Sequence, residues 1–364
     1  MSTRADSQRT AGSLLSTHLA RAASGALLLF LLVIVLALVT AMPGDAAAVT
    51  WRAQALPAGP DASPGGMLSA FFLDDSNGWA GGGSGELYRT TDGGSHWQYE
   101  GGQDATGGDA LITGLAFASP LVGWATVVDE GSPSDGHPYS FVVATTDGGV
   151  TWQPQGAAPK NVGLEAICAP DESHAWAVGD EGTILALKDG VWKKQTSRGR
   201  EQDGLTSVCF VGDRCGWAVG PEGFTIYRTT NGGVTWSRRR LPGQSNGGLE
   251  SIVFLSARRG WLLATTGLYH TTNGGRTWRR LPVSRSFTGT SFELTFRNTR
   301  SGWMLGGSGS EVLRTADGGR HWRVQLRYHV GGSKWLSALA ISRHCVWAAG
   351  STGWSKPFMV HAAE

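Results

Sequence analysis

Gly216-Trp217-Ala218-Val219-Gly220, followed by Thr229-Thr230-Asn231-Gly232-Gly233-Val234-Thr235-Trp236, is the stretch whose repetition decides the fold. Gly-Trp or a near equivalent recurs at Trp79, Trp124, Trp176, Trp217, Trp261, Trp303 and Trp347, in steps of 45, 52, 41, 44, 42 and 44 residues. Self-similarity at such a period marks stacked or circular arrays of small supersecondary units. Within this unit Leu205–Phe210, Gly216–Gly220, Phe224–Thr229 and Thr235–Arg240 read as four short strands. Polar, glycine-bearing turns separate them, which is the pattern of one propeller blade.

The second half of the unit is a turn motif, Thr-x-Asp/Asn-Gly-Gly-x-Thr/His-Trp. Good copies stand at 90–97, 145–152, 229–236, 271–278 and 315–322, with a degraded one at 187–192. Asp92, Asp147, Asp189, Asn231, Asn273 and Asp317 hold the acid or amide position. A carboxylate or amide there can accept a backbone N–H two residues on, and the paired glycines tolerate positive φ. The motif residues are therefore expected to be structural. The seventh unit has three strands and no motif, while Val49–Gln54 is similar to the strand directly after the motif in other units. The N-terminal strand should complete the last blade and close the ring, which removes exposed sheet edges. The expected fold is all-β: a seven-bladed propeller of four-stranded blades over 49–364.

The N-terminus reads differently. A basic leader, 1–21, precedes an uncharged, aliphatic stretch at 22–44. That stretch is long enough to span a bilayer as a helix, and Arg4, Arg9 and Arg21 should stay inside. Two readings stand open: an uncleaved anchor with the propeller on the extracytoplasmic side, or a signal segment cleaved near Ala48 that releases a secreted or periplasmic chain. In an oxidising compartment Cys209 and Cys215, flanking one short turn, could form a disulfide.

The motif resembles the Asp-box, or bacterial neuraminidase repeat, of sialidases, sortilin-type receptors and some glycanases. The whole unit, with its Gly-Trp-Ala-x-Gly and Thr-Thr-Asp/Asn-Gly-Gly-x-Thr-Trp, is most similar to the photosystem II stability/assembly factor family of seven-bladed propellers. The resemblance covers about 49–364. It implies a protein-binding role in the assembly or stability of a membrane complex, through an arginine-rich face that holds a membrane-protein client.

Composition bears on that expectation. The net charge is +2, yet residues 49–190 hold 4 basic and 18 acidic side chains and residues 191–364 hold 24 and 9. Charge divided in this way points to an electrostatic partner. The turns between first and second strands carry Asp74, Asp75, Asp171 and Glu172 in blades 1 and 3. In blades 4 to 7 they carry Arg214, Arg258, Arg259, Arg300 and Arg343, the candidate partner-binding residues. Arginine favours bidentate contact with carboxylates, which suits a protein partner.

The alternative is a carbohydrate-active enzyme or lectin of the Asp-box class. Paired carboxylates can hydrolyse glycosides when suitably spaced. Aligning the first strands puts Ser69, Thr113, Glu165, Thr206, Glu250, Glu293 and Ser337 at one level, so Glu165, Glu250 and Glu293 are candidates at a channel mouth. Tyr88, Tyr227 and Tyr269 recur at one repeat position, as architecture does and a unique nucleophile does not. The sequence leads us to expect no catalytic residue, no metal, no cofactor and no nucleic-acid partner.

Overall fold

The computed structural model describes residues 50–57, 65–101, 110–129, 139–195, 204–242, 247–283, 293–307, 309–328, 334–353 and 356–363. The leader and the expected anchor at 22–44 lie outside them. Among the described residues no helix is long and apolar enough to cross a membrane. The strands there form seven antiparallel sheets of four. Blade 4 is representative: Ser207–Val211, Cys215–Val219, Thr225–Thr229 and Ser237–Arg240, each hydrogen-bonded to the next. The first strands of all neighbouring blades touch, including those of blades 7 and 1, so the ring is closed.

Closure uses the strand expected for it. Arg52–Gln54 pairs antiparallel with Lys356–Ala363, with Arg52 opposite His361 and Gln54 opposite Met359. It becomes the fourth strand of blade 7, beside Lys334–Ile341 and Cys345–Thr352. Trp51 is buried, as are the motif tryptophans Trp97, Trp152, Trp236 and Trp322.

Aromatic stacking fuses the blades. The second-strand tryptophan of one blade lies flat on a first-strand phenylalanine of the next: Trp79 on Phe117, Trp176 on Phe210, Trp217 on Phe254 and Trp347 on Phe72, all with centroids 3.5 Å apart, and Trp261 on Phe296 at 3.9 Å. The motif tryptophan meets the same phenylalanine edge-on, as Trp236 does Phe210. Such ring pairs add about 0.5–1.5 kcal/mol each beyond the area they bury. The same packing explains the glycine before the tryptophan. A Cβ on Gly216 would lie 2.2 Å from the Phe210 ring, which occupies its side of the sheet.

The inner wall is stitched at every seam. Ser69 Oγ donates to Ile112 O (3.0 Å) and Thr113 Oγ1 to Leu164 O (2.6 Å), while Ser337 Oγ donates to Met67 O. Cys168 Sγ accepts Phe210 N and Cys209 Sγ accepts Phe254 N, both at 3.3 Å; Ser251 Oγ accepts Leu294 N, also at 3.3 Å. At the seam of blades 6 and 7, Glu293 Oε2 accepts Leu339 N at 2.5 Å.

Candidate functional site

Each of the five full Asp-boxes is built around its threonine. Thr229 Oγ1 accepts the N–H groups of Asn231 (3.2 Å) and Gly233 (2.9 Å) and donates to Asn231 Oδ1 (2.9 Å). Asn231 Oδ1 then accepts Thr235 N at 3.0 Å. The bond two residues on is therefore made by the threonine hydroxyl. The acid or amide reaches four residues on, which corrects the turn expected from sequence. The carboxylate version is the same: Asp92 accepts His96 N, Asp147 accepts Thr151 N and Asp317 accepts His321 N. Asp189, in the degraded copy, instead takes φ of 53° in a tight turn.

The box also carries the adjacent turn. The first box glycine donates its N–H to a carbonyl in the turn between first and second strands: Gly93 to Ser76, Gly148 to Leu121, Gly232 to Arg214, Gly274 to Arg258 and Gly318 to Arg300, at 2.8–3.0 Å. Three of these five carbonyls belong to candidate arginines. Box and arginine turn therefore share one end of the ring, and the backbones of Arg214, Arg258 and Arg300 are tied to the boxes. Arg214, Arg258, Arg259, Arg300 and Arg343 are all exposed, and among the described residues none of their side chains forms an ion pair.

Two further arginines join them. Arg276 and Arg320 occupy the variable position after the paired glycines in boxes 5 and 6, and both are exposed. The repeat pattern alone does not single them out; their place inside the box is the signal that could have found them. The field they produce is felt by His270, whose pKa is lowered by burial and then by Arg279, Arg259 and Arg320. Arg228 is likewise lowered, by burial and then by Arg276. The boxes of blades 4 and 5 carry Asn231 and Asn273 where blades 1, 2 and 6 carry aspartate. Since the amide makes the same Oδ1 bonds, the turn survives and those two boxes carry no negative charge, whereas the blade 6 box keeps Asp317.

The acidic side chains of the same end are mostly engaged. Asp74 accepts Ser76 N (2.8 Å) and Asn77 N (2.7 Å) in its own turn. Asp75 accepts Ser342 Oγ and His344 N and meets His344 Nδ1 at 2.5 Å, clamping blade 1 to blade 7. The Ser342 hydrogen bond is the largest factor holding its carboxyl down to about 2. Asp171 accepts Ser173 N and faces His174. Glu172 is exposed. The outer-strand arginines Arg238, Arg239, Arg240, Arg279 and Arg280 are exposed on the rim of blades 4 and 5.

The first strands line a central cavity of about 370 Å³, to which Ser69, Thr113, Glu165, Thr206, Glu250, Glu293 and Ser337 all contribute. The three carboxylates share that wall but not one chemistry. Burial pushes Glu293 up to about 8, and its oxygen is taken by Leu339 N–H of the next blade. Glu165 is raised by burial and then by Asp180, and Glu250 by burial. Tyr88, Tyr227 and Tyr269 are buried, in keeping with architecture. Among the described residues no group of His, Cys, Asp and Glu is placed to hold a metal ion.

The possible Cys209–Cys215 disulfide is not formed; both thiols are free. Cys209 lies opposite Trp217 and Cys215 opposite Val211, so the two cysteines are out of register across the hairpin. Cys209 is turned instead to the next blade, and burial pushes its thiol up to about 12.

Known proteins share this fold. Residues 202–338 match the family described as photosynthesis system II assembly factor YCF48. A solved structure of YCF48 bound to a D1 peptide is 21% identical, covering 89% of this chain and 99% of its own, with a TM-score of 0.65. YCF48 from Cyanidioschyzon merolae is 19% identical, covering 86% and 98%, with a TM-score of 0.62. The GH74 xyloglucanase from Xanthomonas campestris is 17% identical over 84% of this chain and 52% of its own, with a TM-score of 0.61. No curated protein matches the sequence. These findings support the likeness, read from the repeats, to photosystem II assembly-factor-like Asp-box propellers.

Proposed function

We propose, from this likeness and from the basic sector, that the protein is a non-enzymatic propeller that binds a protein partner at its box end. It is exported and membrane-tethered through 22–44, and it helps a membrane complex assemble or stay intact. The observation that carries this reading is the row of exposed arginine side chains, without ion pairs among the described residues, those of blades 4 to 6 on turns hydrogen-bonded to the boxes. Rigid placement lowers the ordering cost of docking, and guanidinium groups pair bidentately with carboxylates. The relative that was solved with a D1 peptide supports a client that is itself a membrane protein. Reversing Arg258, Arg259 and Arg300 to glutamate is expected to abolish capture of the partner from detergent extracts while the near-ultraviolet circular dichroism is unchanged. Undiminished capture by that folded variant would remove the basic sector from the account.

Of the three candidate carboxylates, the alternative of a carbohydrate-active enzyme or lectin, sialidase-like or glycanase-like, retains Glu165 and Glu250, because Glu293 is committed to the blade 6–7 seam. Aryl-glycoside turnover that disappears in either glutamine variant would revive it.

A further inference from the structure

The path of the chain orients the disc. Third strands run toward the boxes, and Arg52–Gln54 runs antiparallel to the third strand of blade 7, starting beside His361. Thr50 therefore leaves the ring at the box end, the end that carries the arginine turns. Only residues 45–49 separate it from the apolar stretch at 22–44. A fully extended chain covers at most about 3.3–3.6 Å per residue, so this tether reaches about 17 Å. Blade 7 also borders the basic sector, with Arg343 in its own turn and Arg300 in the turn of blade 6.

We propose that the box end is a membrane-facing surface and that its arginines dock on anionic lipid headgroups. The inference rests on the tethered reading above and adds a second partner for the same sector. Three observations favour a bilayer. The tether is shorter than the disc is wide in strand-to-strand terms, since each blade alone stacks four strands at about 4.8 Å spacing from axis to rim. It leaves the ring on the basic end rather than on the opposite one. The basic end offers a spread of arginines over several blades, with asparagine replacing aspartate in two of its boxes. Spread charge suits a surface of mobile headgroups, where each basic residue near the plane contributes independently.

The test uses the full chain reconstituted in two kinds of vesicle, phosphatidylcholine alone and phosphatidylcholine with one third phosphatidylglycerol. Amide hydrogen exchange is read at the turns 256–259 and 298–301 on the box end and at 83–86 and 221–223 on the opposite end. Phosphatidylglycerol is expected to slow exchange at the box-end turns by about fivefold or more, the weight of one arginine at an anionic surface. The opposite turns should not change, and high salt should erase the difference. Equal exchange in both vesicles would overturn the inference, as would protection of the opposite end or recovery of a mature chain beginning at Val49. Partner capture measured in the phosphatidylcholine vesicles separates the two readings. Capture that persists there without lipid protection leaves the protein-binding role intact; lipid protection with no capture in either vesicle leaves only the lipid role.

Discussion

At the residue scale the box threonine matters more than the aspartate that names the motif. Thr229 Oγ1 satisfies two backbone N–H groups and donates to Asn231. Thr229→Val keeps the shape and loses all three bonds, so it is expected to cost about 1–3 kcal/mol in urea unfolding. Asn231→Asp keeps the acceptor and is expected to change stability by less than about 0.5 kcal/mol while weakening partner binding, because the charge lies in the basic sector. Glu293 makes a pH prediction. Its folded pKa, pushed up to about 8 by burial, lies above its unfolded value, so the folded state holds the extra proton between those two pKa values. Stability is then expected to fall as pH rises from about 4.5 to about 8 and to flatten above that. Glu293→Gln keeps an acceptor for Leu339 N–H and should flatten the slope, as read from urea midpoints at each pH. An unchanged slope in the glutamine variant would place the titration elsewhere.

Between elements, the glycine of Gly-Trp and the phenylalanine of the preceding strand depend on one another. Five blades pair them: Phe72 with Gly78, Phe117 with Gly123, Phe210 with Gly216, Phe254 with Gly260 and Phe296 with Gly302. Blades 3 and 7 have Ala175 and Val346 at that glycine position and lack the phenylalanine. The seams they form are held by other means. Gln155 Oε1 of blade 2 accepts both Trp124 Nε1 of its own blade (2.9 Å) and Trp192 Nε1 of blade 3 (2.8 Å), and the Arg297 guanidinium lies 4.6 Å over Trp303 while donating to Ser342 O (2.7 Å) and Cys345 O (2.9 Å). Phe254→Ala is expected to cost about 3–5 kcal/mol, the range for emptying an aromatic core site. Arg297→Lys should fail to restore what Arg297→Ala loses, since an ammonium cannot reproduce the planar fork. Thermal melting of the pair would decide it; melting points for the lysine variant equal to the parent would refute the clamp. Repeat spacing exposed the blades because identical packing must recur at each one. It could not show these two seams, whose contacts are made once, nor the register that keeps Cys209 and Cys215 apart.

On the scale of the whole molecule, the ring is completed by residues from both ends of the chain. The candidate arginines could be named from sequence because the turn between first and second strands falls at a fixed offset from each tryptophan. Their freedom from ion pairs among the described residues could not, because it depends on which acids are already engaged, Asp74 and Asp171 by their own turns and Asp75 by Ser342 and His344 of blade 7. The central claim is that partners meet the box end over blades 4 to 7. A photo-crosslinking residue placed at Arg258 in intact cells, with a second placed at Glu222 on the opposite end, tests it most directly. Adducts from position 258 with none from position 222 are predicted; adducts from position 222 alone would contradict the account.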